Sequence, residues 1–297
     1  MNYKSRTLIV SIILLSPFFL ISWYMLDNMW FSELLPGVVG FARFLLLFLL
    51  SVISSVVLSL GIMFFCKPVR NQNEIMCELE ANGYSDRFLE LTGAEIERLF
   101  SGGEVYSYYR YLAQYVRFRT DAFLYRDDLP NAINCINLIN LKDMQEHLNE
   151  RLESNAFLGY FDVQMSLSCE LKDPARATAV MQDAAVYIEK YRGKSALADM
   201  YIYEICSLHA LTFGDYAKAL ENADLCCKRD NKPVFTMVGN AMAARVFLKA
   251  GQYQPAAERI ALVEGVSTTK LQKQIVDDLR KRLNRLSAEG LTGGQNQ

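Results

Sequence analysis

One pattern of two apolar runs around a turn occurs twice in succession between residues 196 and 264. Residues 196–229 read ALADMYIYEICSLHALTFGDYAKALENADLCCKR, and residues 233–264 read PVFTMVGNAMAARVFLKAGQYQPAAERIALVE. Each unit has a long apolar-periodic run, a Gly-x-Tyr turn and a second, shorter run with helical spacing. The turn glycines Gly214 and Gly251 are 37 residues apart, close to the length of about 34 residues of a helix-turn-helix repeat. The pattern predicts consecutive α-helical hairpins.

These two units resemble the tetratricopeptide repeat family. In that family small residues let the two helices of a hairpin touch, and the matching positions here are Ser207, Ala244, Ala219 and Ala256, with Phe247 at an aromatic position of the first helix. The match covers about 70 of 297 residues. Departures from the family pattern are Cys206 and Ala243 in place of leucine, Asn240 in place of tryptophan, and no proline at the final position.

The resemblance implies an α-solenoid whose first helices line a concave groove for a protein or peptide. On the first helices of the two units, the expected groove residues are Tyr203, Asn240 and Arg245. A further hairpin is expected from residues 155–171 and 175–191, around the turn Lys172-Asp173-Pro174, because three repeats bury a continuous core better than two.

The sequence predicts that the last helix of the repeat region caps the solenoid. Its apolar stripe is backed by basic residues, as the end of a solenoid requires; the stripe consists of Leu271, Ile275, Leu279, Leu283 and Leu286. The predicted all-α organisation therefore has repeats and cap at 154–288, a disordered tail at 289–297 and a membrane-proximal helical region at 71–153.

Two uncharged stretches near the N-terminus, residues 7–26 and 44–66, are each long enough to span a bilayer. A short link with turn-forming residues joins them, so residues 1–70 are expected to form a transmembrane helical hairpin. A cleaved signal peptide is the alternative for the first stretch, although its apolar run is long and lacks a small-x-small cleavage site.

The flanking charges predict the orientation of this hairpin. Basic residues lie outside the two stretches, at Lys4, Arg6, Lys67 and Arg70. By the positive-inside tendency, both termini face the cytoplasm of an integral protein, expected in a bacterial cytoplasmic membrane. Ser51, Ser55 and Ser59 share one face of the second stretch, which favours close packing against the first stretch or, alternatively, a homo-oligomer.

Composition agrees with this division. Mean hydropathy is +0.08 although 22% of residues are charged, because the apolar excess lies in the first 66 residues. Residues 71–297 carry 26 basic and 31 acidic residues, which argues against nucleic acid as the partner.

The stretch at residues 105–126 interleaves aromatic rings with arginines. It could contact single-stranded nucleic acid or lipid headgroups, or it could pack as an amphipathic helix. The acidic charge of the domain favours packing.

No catalytic motif is found. The sequence has no GxSxG, phosphate-binding loop or GxGxxG, and its two histidines and seven cysteines show no metal-ligand spacing. We therefore expect no enzyme activity, no cofactor and no metal. The preferred hypothesis is a membrane-anchored adaptor whose repeats bind a protein or peptide. The alternative is a hairpin that oligomerises or guards a membrane target, with the repeats as regulators.

Overall fold

The computed structural model describes residues 67–149 and 153–293, together with Leu49 and Ile53. In this part of the chain every regular element is an α-helix, so the all-α class is confirmed for it. The helices are α1 (Lys67–Asn82), α2 (Asp86–Ser101), α3 (Tyr109–Tyr125), α4 (Leu129–Ile136), α5 (Leu141–His147), α6 (Ser154–Leu171), α7 (Pro174–Tyr191), α8 (Ala196–Thr212), α9 (Tyr216–Arg229), α10 (Pro233–Lys249), α11 (Tyr253–Val266) and α12 (Lys270–Gly293).

The chain divides into two compact units after Glu80. The composition changes at residue 70. Helix α1 is continuous through this position, so the change in composition does not mark the end of a helix. No helix in the described ranges combines the length and apolarity that a bilayer crossing needs. Apart from Leu49 and Ile53, which are helical and about half exposed, the predicted spans at 7–26 and 44–66 and their three serines lie outside the described residues.

Within residues 81–297 there are four helical hairpins, α3/α4, α6/α7, α8/α9 and α10/α11, and the short helix α5 separates the first from the second. The first helix of each hairpin packs against its own second helix and against the first helix of the next hairpin. Helices α3, α6, α8 and α10 thus form an inner layer, and α4, α7, α9 and α11 form an outer one. This arrangement is consistent with an α-solenoid.

The same turn closes each of these hairpins. One residue has a positive φ, and the amide of the next residue donates to a carbonyl five positions back, at 2.8–3.0 Å. The four turn residues are Asp127, Lys172, Gly214 and Gly251. The predicted hairpins around Lys172, Gly214 and Gly251 are present. The hairpin α3/α4 is not expected from the sequence, and its turn residue Asp127, like Lys172, has a positive φ without being glycine.

Small residues bring the paired helices together as expected. The hydroxyl of Ser207 on α8 donates to the carbonyl of Ala219 on α9 at 3.0 Å, and both residues are buried. Ala244 and Ala256 are fully buried between α10 and α11. At Gly239 a Cβ atom would overlap the carbonyl of Ala223, so α10 approaches α9 to backbone contact.

Helix α12 does more than cap the last hairpin. Leu279 and Val276 are buried against α10 and α11, with Ile275, Leu283 and Leu286 partly buried beside them. Helix α12 also contacts the loop before α2, at the N-terminal end of this unit. There Gln274 Oε1 accepts a hydrogen bond from the amide of Tyr84 at 2.8 Å. The helix continues to Gly293, so it includes the first five residues of the predicted tail.

Candidate functional site

A cavity of about 760 Å³ lies between the inner helices and α12. Most residues of its floor stand 2, 6 or 10 positions before the turn residue of their hairpin. Positions four apart share one face of a helix, so these residues form rows across the inner layer. The rows are Tyr125, Glu170, Thr212 and Lys249; Asp121, Ser166, Leu208 and Arg245; and Asp162 and Glu204.

Only one of the three expected groove residues lines this cavity. Arg245 stands six positions before its turn and faces the cavity. Tyr203 and Asn240 stand eleven positions before theirs, and one residue rotates a side chain by about 100° around a helix. Asn240 is buried, donates to the carbonyl of Thr236 at 2.7 Å and accepts from Arg259 at 2.9 Å. The structure places Tyr203 against the cluster between α9 and α10.

Three carboxylates, which we call the acidic cluster, lie in the middle of the cavity: Asp121 on α3, Asp162 on α6 and Glu204 on α8. Within the described part of the chain, the cation closest to any of them is Arg245, whose Nη1 is 3.9 Å from Glu204 Oε1. Among the described residues, Asp121 and Asp162 have no cation within 4.0 Å, and Asp162 Oδ1 is buried with no hydrogen-bond partner. Within ion-pair distance, the described residues therefore supply one cation for three carboxylates.

The acidic cluster is electrostatically strained in its ionised form. Burial, with Glu204 adding repulsion, raises the pKa of Asp121 to about 7. Burial and the neighbouring carboxylates raise the pKa of Asp162 well above its usual value, and burial raises the pKa of Glu204. Arg117 and Arg245 oppose these shifts without cancelling them. Protons are held here under conditions in which an exposed carboxylate is ionised.

Arg117 is the second cation near the acidic cluster, and it is held by α6 and α8. Its Nη1 donates to the hydroxyl of Tyr201 at 3.0 Å, and the guanidinium lies over the Tyr201 ring at 5.6 Å. Gly159 on α6 makes room for it, because a Cβ atom there would overlap the guanidinium. This arrangement directs the arginine toward tyrosine and leaves Asp121 without an ion pair.

A second set of charges, which we call the arginine network, lies where α12 meets the ends of α3 and α6. Arg282 Nη1 is 2.9 Å from Glu170, its Nε is 2.9 Å from Asp278, and its Nη2 is 3.7 Å from Asp127. Although burial opposes it, the positive charge of Arg282, Lys249 and Arg245 lowers the pKa of Glu170. In contrast to the acidic cluster, these carboxylates are paired.

The aromatic and arginine-rich stretch at residues 105–126 is largely occupied by its own fold. Tyr109 and Tyr115 are buried, Arg119 donates to the carbonyl of Leu89, and Arg126 pairs with Asp86 at 2.6 Å. These contacts favour the interpretation that this stretch packs within the domain.

The adjacent cysteines Cys226 and Cys227 and the two histidines lie outside this cavity. Burial raises the pKa of the Cys226 thiol to about 12 and raises that of Cys227, so both thiols stay protonated. Burial lowers the pKa of His209, whereas the ring of His147 packs at a tilt of 36° against Tyr106, with ring centroids 4.3 Å apart. No group of three His, Cys, Asp or Glu side chains there could hold a metal ion.

Comparison with known proteins gives no relative from which a role could be taken. No family model, no curated protein and no solved structure matches the chain. The acidic cluster and the arginine network must therefore be interpreted from their own chemistry.

Proposed function

We propose that residues 81–297 bind a segment of a partner protein in the cavity between the inner helices and α12. Support comes from the cavity itself. Its volume of about 760 Å³ is within the range of about 300–1,000 Å³ that is common for ligand sites, and it offers both apolar and charged groups. Equivalent positions on four successive helices supply the floor, which is how helical repeats form an extended binding surface.

We further propose that the chain is a membrane-anchored adaptor. The apolar stretches at 7–26 and 44–66 would hold the helical domain at a bilayer, with both termini in the cytoplasm, and the hairpins would belong to the tetratricopeptide-like solenoids. Alkaline carbonate extraction of membranes tests the anchor. The full chain is expected to stay in the pellet, and its release into the supernatant would contradict the anchor.

A randomised peptide library tests the binding function. The full chain, purified in mild detergent, is used to select displayed dodecapeptides, and binding of the selected peptides is measured by titration calorimetry. We expect peptides whose binding Ser166→Trp abolishes, because Ser166 lies in the cavity floor and the indole would fill part of it. Val186→Trp is the matched control, since Val186 is 67% exposed on the outer helix α7.

The two tryptophan variants separate a cavity ligand from a surface ligand. Peptides that bind wild type and Val186→Trp equally and fail on Ser166→Trp support the proposal. Selection of no peptide, or of peptides that bind Ser166→Trp as tightly as wild type, would contradict it. Far-ultraviolet circular dichroism of both variants shows whether the helices are retained.

A further inference from the structure

The two groups of charged residues in the cavity differ in how many of their carboxylates have an ion-pair partner. At one side the arginine network joins Arg282 to Glu170 and Asp278 at 2.9 Å, so its charges are compensated inside the chain. In the middle the acidic cluster has three carboxylates and, within 4.0 Å among the described residues, the single contact from Arg245 to Glu204. The carboxylates of the acidic cluster therefore have fewer cations within ion-pair distance than those of the arginine network.

Asp162 carries the most specific signal. Its Oδ1 is buried and lacks a hydrogen-bond partner, in a protein whose buried polar atoms otherwise have partners with few exceptions in the described ranges. A buried carboxylate oxygen without a donor costs free energy, so such an atom in a cavity is explained when a ligand supplies the donor. A positively charged donor suits this position, because it would also favour the ionised forms of Asp121 and Glu204 beside Asp162.

We propose that the bound protein segment is anchored by a basic side chain, lysine or arginine, whose cation lies among Asp121, Asp162 and Glu204. This inference rests on the proposed peptide-binding function and assigns its ligand class. The apolar part of such a side chain suits the remaining walls, which include Leu208, Leu211 and Leu286. A lysine ammonium supplies three donors and an arginine guanidinium five, enough for several carboxylate oxygens.

Binding of a cation here is coupled to proton release. The ligand favours the ionised carboxylates, whereas burial favours their protonated forms, so a bound proton must leave when the cation enters. Affinity should therefore increase as pH rises through the raised pKa of Asp121, about 7. The charged and titratable groups that interact with the acidic cluster from the segments packed around it are Arg117, Tyr201, Arg245, Cys226 and Tyr84, the last in the loop before α2.

Calorimetry with the selected dodecapeptides tests this ligand class. We expect the cavity-binding peptides to share a lysine or arginine, and replacement of that residue by methionine to weaken binding at least about tenfold. Asp162→Asn keeps the shape and removes the charge, so it should weaken binding at pH 8 by a similar factor. Asp183→Asn, on the exposed face of α7, is the matched control and should leave affinity unchanged.

The pH series supplies an independent measurement. For wild type the affinity at pH 8 should exceed that at pH 6 by roughly tenfold, and the double variant Asp121→Asn/Asp162→Asn should lose most of this dependence. Cavity-binding peptides without a shared basic residue, or full affinity in Asp162→Asn, would overturn the ligand class and leave the binding function standing. Absence of any peptide sensitive to Ser166→Trp would instead contradict the binding function itself.

Discussion

The arginine network and the acidic cluster share one cavity and treat charge in opposite ways. Around Arg282 the carboxylates are paired at 2.9 Å, and the pKa of Glu170 is lowered. In the acidic cluster the pKa of Asp121 is raised to about 7, and Asp162 Oδ1 has no hydrogen-bond partner. Burial alone therefore does not decide the state of a carboxylate. The carboxylates of the arginine network have a cation of the chain beside them, whereas we propose that the acidic cluster receives its cation from a ligand.

The largest expected effect comes from breaking the arginine network. Arg282→Met would leave Glu170 and Asp278 partly buried without their cation. Removing one partner of a buried pair costs about 3–5 kcal/mol, and partial exposure reduces this to about 3 kcal/mol, or roughly 8 °C in Tm for a domain of this size. Thermal unfolding of the full chain in detergent, followed by circular dichroism, measures the change.

Arg280→Met is the control for Arg282→Met on the same helix. Arg280 pairs with Glu264 at 2.6 Å, but both side chains are 50% exposed, so the cost should stay below about 1 kcal/mol. Equal losses of Tm in the two variants would contradict the distinction between a network inside the cavity and an ordinary surface pair.

The second-largest effect is an increase in stability, expected for a substitution in the acidic cluster. Asp162→Asn removes a charge that the folded chain does not compensate, so at pH 8 the variant should be more stable than wild type by about 2 kcal/mol, or roughly 5 °C in Tm. The control Asp183→Asn should change Tm by less than about 1 °C, since surface substitutions have small effects. A lower Tm for Asp162→Asn at pH 8 would show that this carboxylate stabilises the fold.

The pH dependence of stability gives a smaller and more specific effect. A carboxyl whose pKa is raised in the folded state contributes stability that is fully present below the unfolded pKa, about 3.9, and is lost as pH rises through the folded value, about 7 for Asp121. Asp121→Asn should therefore stabilise the fold relative to wild type by about 1 kcal/mol more at pH 8 than at pH 6.5, measured as the difference in Tm. An identical Tm difference at both pH values would exclude the raised pKa.

The smallest effect is expected for Arg245→Met. Arg245 is 3.9 Å from Glu204 and its side chain is 35% exposed, so the pair should contribute less than about 1 kcal/mol. The same substitution should make the pKa values of Glu204 and Asp162 rise further, which would strengthen the pH dependence of Tm. A weaker pH dependence in Arg245→Met would contradict the role assigned to this arginine.

Much of the helical architecture can be predicted from the sequence. The Gly-x-Tyr turns at Gly214 and Gly251 predict both of their hairpins, because glycine at a positive φ ends the helices locally. The hairpin α3/α4 cannot be found in this way, since Asp127 occupies the corresponding turn. Its turn is recognisable by the hydrogen bond from Asp128 N to Phe123 O, which the sequence does not display.

The site is less predictable than the fold. Arg245 is expected in the groove, but the acidic cluster is not, because a charged residue on a helix usually indicates a solvated face. Alignment of the hairpins on their turn residues places Asp162 and Glu204 at the same position of successive hairpins, and this is the signal that could have found them. That α12 lies across this face, with Gln274 bonded to Tyr84, depends on tertiary packing between distant segments.

Whether a ligand cation occupies the acidic cluster can be decided by the affinity of a selected basic peptide for Asp162→Lys, compared with Asp183→Lys as control. The substituted lysine would place a cation among Asp121 and Glu204, where the ligand's own cation is proposed to lie. At pH 8 we expect Asp162→Lys to retain its helices, to have a Tm at least equal to wild type, and to bind the peptide at least about a hundredfold more weakly, while Asp183→Lys binds normally. Unchanged affinity of Asp162→Lys for the peptide would contradict the proposed position of the cation.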